Sequence, residues 1–110
     1  MQDENTPLFV YTTFASADDA RRVGRALVGN RLAACVNIFE KMTAIYEWEG
    51  NLEETPEVAM LIKSRRGLER RVLEEAKKLH PYDTPSLVVL NVTGGDQDFI
   101  DWIARQTDGK

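Results

Sequence analysis

The hexapeptide His80-Pro81-Tyr82-Asp83-Thr84-Pro85 constrains this chain more than any other segment. Each proline fixes its own φ at about −65° and drives the residue before it out of the helical region. His80 and Thr84 are therefore expected to be extended, with a helix running into the segment and an apolar strand leaving it. The segment also holds the single histidine of the chain, together with a phenol and a carboxylate. A stiff corner with three such side chains suits presentation to a ligand, and it would equally serve as a plain helix-to-strand connector.

The elements on either side follow from periodicity. Leu8 to Phe14 is rich in aromatic and β-branched residues and reads as a strand. Ser16 is placed to cap a helix with Asp18 and Asp19 in its first turn. Ala20, Val23, Ala26 and Leu27, with Gly24, give that helix an inner stripe, and Gly29-Asn30 end it. A second strand is expected from Arg31 to Phe39. Met42, Ala44, Tyr46 and Trp48 then alternate with Thr43, Ile45, Glu47 and Glu49, the period of a strand, and Gly50-Asn51 supplies a turn. Val58 to Lys63 returns as a buried strand. Leu68, Val72, Ala76 and Leu79 place a helix over 66–79. The hexapeptide is followed by a strand over 87–92, and Asp96 caps a short last helix carrying Phe99, Ile100, Trp102 and Ile103.

Two strand–helix–strand halves in this order predict a split βαβ, ferredoxin-like α+β sandwich. Right-handed crossovers put both long helices on one face of the sheet. The hairpin from about Ile38 to Glu54 is long and aromatic. Either it folds back onto its own sheet, or Tyr46 and Trp48 form an exposed apolar patch that marks contact with another subunit.

Size and composition bound the partners. The 110 residues fit one domain over 1–110, with 1–6 expected as a disordered tail. The net charge is −4 and basic residues are scattered, which argues against nucleic acid. No apolar run approaches the roughly 18–20 residues of a membrane span, and Met1 to Asn5 is unlike a signal peptide. One cysteine, Cys35, suits a reducing compartment, so a cytoplasmic location is expected.

The chemistry is sparse. One Cys and one His cannot close a zinc site, although Cys35 and His80 suit a softer ion such as copper if an oligomer adds ligands. Cys35 inside an apolar strand fits equally as core filler. No serine sits in a nucleophile elbow and no second histidine is present, so no catalytic residue is expected. Lys63 and Glu57 lie at opposite ends of one strand, where they either line a pocket near the corner or remain solvated.

With these segments in view, the chain resembles the CutA family, the divalent-cation tolerance proteins. The resemblance runs from about Val10 to Ile103. It rests on Tyr11-Thr12-Thr13, Leu32 to Asn37, Tyr46-Glu47-Trp48-Glu49-Gly50, Glu57 with Leu61-Ile62-Lys63, the hexapeptide at 80–85, and Trp102-Ile103. It implies a ferredoxin-like protomer in a PII-like homotrimer whose hairpins pair across subunits, with Tyr46 and Trp48 in the interface. It further implies copper or another divalent metal ion as partner, Cys35 and His80 as metal ligands, and Lys63, Tyr82 and Asp83 beside an intersubunit cleft that Glu57 also lines. Three departures stand out: Ala44 and Ser86 replace a serine and a glutamate common in the family, and Asp83 replaces a frequent glutamate. The expected function is non-catalytic metal tolerance. The alternative is a small-molecule sensor holding an anionic or zwitterionic metabolite through Lys63, and a third reading is a scaffold that only assembles.

Overall fold

Alternation along four strands and an apolar stripe along two helices determine the architecture, which a computed structural model describes for residues 3–109. The order is β1 (Pro7–Phe14), α1 (Ala17–Gly29), β2 (Cys35–Trp48), β3 (Asn51–Arg65), a 3-10 turn (Arg66–Leu68), α2 (Glu69–Leu79), β4 (Val88–Asn91) and α3 (Gln97–Gln106). The strands form one antiparallel sheet in the order β2-β3-β1-β4. This is the ferredoxin-like sandwich expected from the sequence.

Because side chains alternate across a strand, register assigns each residue to a face. Leu8, Val10, Thr12 and Phe14 of β1 are buried, as are Val58, Met60, Ile62 and Ser64 of β3. Val10, Phe14, Val58, Met60 and Ile62 meet Ala20, Val23 and Leu27 of α1 and Val72 and Ala76 of α2 in one core, so both long helices do share a face. The opposite face carries the rows Cys35–Lys63–Phe9–Leu90 and Asn37–Leu61–Tyr11–Val88. Only one end of that face meets a helix, where Phe99 of α3 comes over Lys63, and Arg65 donates to the Thr107 hydroxyl at 2.9 Å.

Both predicted caps form. Ser16 accepts from the Asp19 amide and Asp96 from the Phe99 amide. Several boundaries differ from expectation, and three of them have a local reason. The second strand begins at Cys35, because Arg31 takes a left-handed conformation at φ 59°. The Arg31 and Leu32 amides then bond back to Val28 and Leu27, closing α1 in a Schellman motif. The hairpin turn is Glu49-Gly50, both with positive φ, since Asn51 already pairs with Trp48. Residues 3–6, expected as part of a loose tail, form a turn whose Glu4 and Thr6 carbonyls accept from Gly67 and Arg66. Met1 and Gln2, the rest of that expectation, lie outside the described residues.

Beyond the Phe14–Val58 pair, β2 and β3 continue without β1 as a two-stranded ribbon of Met42–Trp48 against Asn51–Glu57. Seven residues per arm extend about 23 Å. A bulge between Phe39 and Met42 marks its base. The ribbon gives the molecule its long dimension of 45 Å, against 26 and 22 Å for the others.

Gly24 packs α1 closely against β2: a Cβ there would lie 2.8 Å from Val36 Cγ2. Overpacking of this kind costs about 1–3 kcal/mol. Gly24→Val is therefore expected to destabilise the fold by about 2–3 kcal/mol. Gly24→Ala should cost less, because alanine gains about 1 kcal/mol of helix propensity. Chemical denaturation measures both, and a Val variant as stable as the native chain would refute the close approach.

Candidate functional site

The hexapeptide forms the corner its prolines predict. His80 ends α2 with extended backbone, φ −70° and ψ 137°, and its amide closes the helix on Ala76. Its side chain turns inward and is almost wholly buried. The imidazole stacks on Phe14, centroids 4.3 Å apart and planes within 10°. Nε2 lies 2.8 Å from the Thr13 carbonyl and 3.2 Å from the Thr12 hydroxyl, while Nδ1 accepts from the Tyr82 amide at 3.2 Å. A carbonyl can only accept, so the proton sits on Nε2 and the ring is neutral. Both nitrogens are engaged. Burial holds the His80 pKa below its usual value, outweighing the opposing influence of the Thr13 carbonyl and Asp19.

Cys35 is on the other side of the sheet. It lies in one row with Phe9, whereas His80 bonds to Thr13, four residues farther along β1. That offset is about 13 Å along the strands and about 10 Å across them, with the sheet between. The structure therefore does not bring the two expected metal ligands together within one chain. Among the described residues, no group of three or more His, Cys, Asp or Glu side chains could hold a metal ion. The described donors of a single chain do not by themselves fit such an ion.

What the fold does assemble is a recess of about 490 Å³ between the base of the ribbon and the corner. Tyr46, Trp48, Glu57 and Tyr82 line it, with the hydroxyl residues Thr13, Thr84 and Ser86. Glu57 and Tyr82 both line it, beside the two ribbon aromatics assigned to an interface. Burial, then the Glu57 carboxylate, push the Tyr82 phenol above its ordinary pKa, so it stays protonated at neutral pH. Ser86 contacts the Thr13 hydroxyl at 3.3 Å.

Lys63 and Asp83 are not part of this recess. Lys63 Nζ lies over the rings of Phe9 and Phe99, 5.6 and 5.4 Å from their centroids, where α3 crosses the far end of the face. Asp83 is exposed at the tip of the corner. Sequence reasoning missed Thr12 and Thr13 as the partners of His80. Thr12 is on the buried face of β1, but no sequence pattern pairs a strand with a residue almost seventy positions later.

The fold and the recess define a class: a ferredoxin-like sandwich with an exposed aromatic ribbon and an open sheet face. Comparison with known proteins narrows it. The family model for the CutA1 divalent ion tolerance protein matches residues 8–106. The divalent-cation tolerance protein CutA of Pectobacterium atrosepticum is 46% identical over 84 residues, 76% of either chain. That of Thermus thermophilus is 39% identical over 98 residues, covering 89% of this chain and 95% of its own. The crystal structure of the divalent ion tolerance protein CutA1 from Ehrlichia chaffeensis superposes with a TM-score of 0.90 at 32% identity, covering 93% of this chain and 95% of that one. The chain belongs to the CutA1 divalent ion tolerance family.

The state of His80 has a consequence for stability. In the unfolded chain an imidazole titrates near its ordinary value of about 6.5. The folded value is lower, so the unfolded state binds more protons as the pH falls. The stabilisation is complete above about 6.5 and declines as the pH falls toward the folded pKa. Melting temperatures between pH 7.5 and 5 should drop through this window, and His80→Gln should flatten that part of the profile. Identical profiles for the two proteins would contradict the neutral, doubly bonded imidazole.

Proposed function

We propose that the protein is a non-catalytic homotrimer of the cytoplasm that contributes to divalent-cation tolerance by binding copper or another divalent metal ion in the assembled state. The open sheet face and ribbon carry this reading. Phe39 is 56% exposed, Ile45 64%, Trp48 62% and Leu52 80%. Trp48 lies on the open face of the ribbon and Ile45 and Leu52 on its opposite face, and large apolar side chains this exposed on a small domain mark association. The ribbon has no third strand of its own, and a two-stranded hairpin is only marginally stable alone. Strand pairing and ring contacts between copies would answer both needs. In light scattering the protein should weigh three times the 12.5 kDa chain at micromolar concentration, and Trp48→Asp should shift it toward monomer. A native monomer would overturn the assembly.

For the metal, His80 is a poor donor because both nitrogens are bonded. Cys35, half-buried on the open face, supplies the soft thiolate, and a neighbouring copy must complete the set. Among the described residues no helix is long and apolar enough to cross a membrane. Calorimetric titration with copper should show affinity falling about tenfold or more in Cys35→Ser. His80→Gln should leave it nearly unchanged, and loss of binding in a folded His80→Gln would restore the histidine as ligand.

A second reading is favoured by the recess itself: a small-molecule sensor whose ligand sits at Glu57, Tyr82 and the ribbon aromatics. The charged group in that recess is Glu57 and not Lys63, which bears on what such a ligand would be.

A further inference from the structure

We propose that Arg21 of α1 is a positioning residue for the ribbon: through Glu40 it clamps the bulge at the ribbon's base and fixes the angle at which Met42–Trp48 and Asn51–Glu57 leave the sheet. The inference rests on the reading that these arms pair with other copies of the chain, and it adds what aims them.

The base of the ribbon is built as a hinge. Phe39 pairs with Ala59 and Met42 with Glu57, so Glu40 and Lys41 together stand against Val58. Val58 is also the last residue of β3 that β1 holds, through Phe14. The extra residue thus falls on the row where three strands become two. Such a bulge bends its strand and shifts the alternation beyond it. Val36 and Ile38 pack toward the core, yet Met42 meets the Tyr11 hydroxyl on the open face at 3.4 Å. Without the bulge Met42, Tyr46 and Trp48 would fall on the helix side.

A two-stranded ribbon has little of its own to hold such a bend, and Arg21 supplies a restraint. Its Nη2 donates to Glu40 Oε2 at 2.8 Å, and its Nη1 donates to Asp18 Oδ1 at 3.2 Å. The guanidinium therefore spans the first turn of α1 and the bulge. The helix is a firm anchor: Val23 and Leu27 are wholly buried, and Gly24 brings the helix backbone onto Val36, four residues before Glu40. Among the described residues no other ion pair joins a helix to either arm of the hairpin. On the other face the Tyr11–Met42 contact ends on a thioether, a weak acceptor, so the charged contact is the stronger restraint.

Leverage makes a modest contact matter. A tilt of about 10° at the base moves a tip about 23 Å away by about 4 Å, close to the roughly 4.8 Å between paired strands. A ribbon free to tilt that far cannot keep the hydrogen-bond spacing that pairing with another copy needs. The ion pair is open to solvent, with 42% of the Arg21 side chain and 53% of Glu40 exposed, so salt screens it. Both groups belong to one chain, and the contact forms without any contribution from a neighbouring copy.

The test uses the full chain carrying Arg21→Glu, Glu40→Arg, or both substitutions together, with melting curves confirming that each variant folds. Native mass spectrometry follows subunit exchange between isotope-labelled and unlabelled protein, and amide hydrogen exchange follows residues 40–42 and both arms. Each single substitution is expected to speed both processes by about threefold or more, and 1 M salt should do the same to the native protein. The double substitution, which reverses the pair, should return both rates toward native. Single variants that exchange at native rates would overturn the clamp and leave the assembly standing. Failure of the double substitution to restore them would also overturn it, because each charge would then act alone or with another copy. A role confined to fold stability would lower the melting temperatures without touching either rate, which contradicts the proposal. A native chain that is monomeric would remove the assembly reading alone, since amide exchange at the bulge and its rescue by the double substitution still decide the clamp.

Discussion

The pairing of β1 with β3, from Pro7–Arg65 to Phe14–Val58, decides what every other element can do. A shift of one residue would exchange the faces of both strands and drive Leu8, Val10, Met60 and Ile62 into solvent. With this register those residues lie under α1 and α2, and Phe9, Tyr11, Thr13, Leu61 and Lys63 face the other way. The same pairing stops at Phe14, so the rest of β2 and β3 leaves the body as a ribbon. The open face, the ribbon and the recess are thus products of one strand pairing.

His80 couples the corner to that pairing. Its imidazole fills a gap beside Phe14 and satisfies the Thr13 carbonyl at the end of β1. Arg22 of α1 donates to the Leu79 carbonyl at the end of α2, tying the two helices at the same point. A buried imidazole with both nitrogens bonded is a structural part, and its rigidity benefits Tyr82 two residues on. The chemistry of the corner therefore passes from the histidine to the phenol and to Glu57.

Much of this was legible in the residues. The period-2 runs gave the strands, Ser16 and Asp96 gave the helix starts, and the prolines gave the corner. The long aromatic hairpin was legible too, because Tyr46 and Trp48 alternate with polar neighbours. Two things were not. Arg31 in a left-handed conformation carries no signal in its side chain, so the start of β2 was misjudged by four residues. The separation of Cys35 from His80 depends on which face each strand presents at a given row. Soft donors in a sequence say nothing of that. The same holds for Lys63, which within one chain is on the open face at the end where α3 lies, away from the corner.

Family membership and the exposed ribbon together lead to the central claim, that the ribbon and the open face are covered by other copies of the chain. Amide hydrogen exchange along Met42–Trp48 and Asn51–Glu57 tests it most directly, since the outer edges of these arms have no strand partner among the described residues. Burial between copies predicts protection in the ribbon comparable to that of β1 at the centre of the sheet. Exchange there as fast as in an isolated hairpin would contradict it.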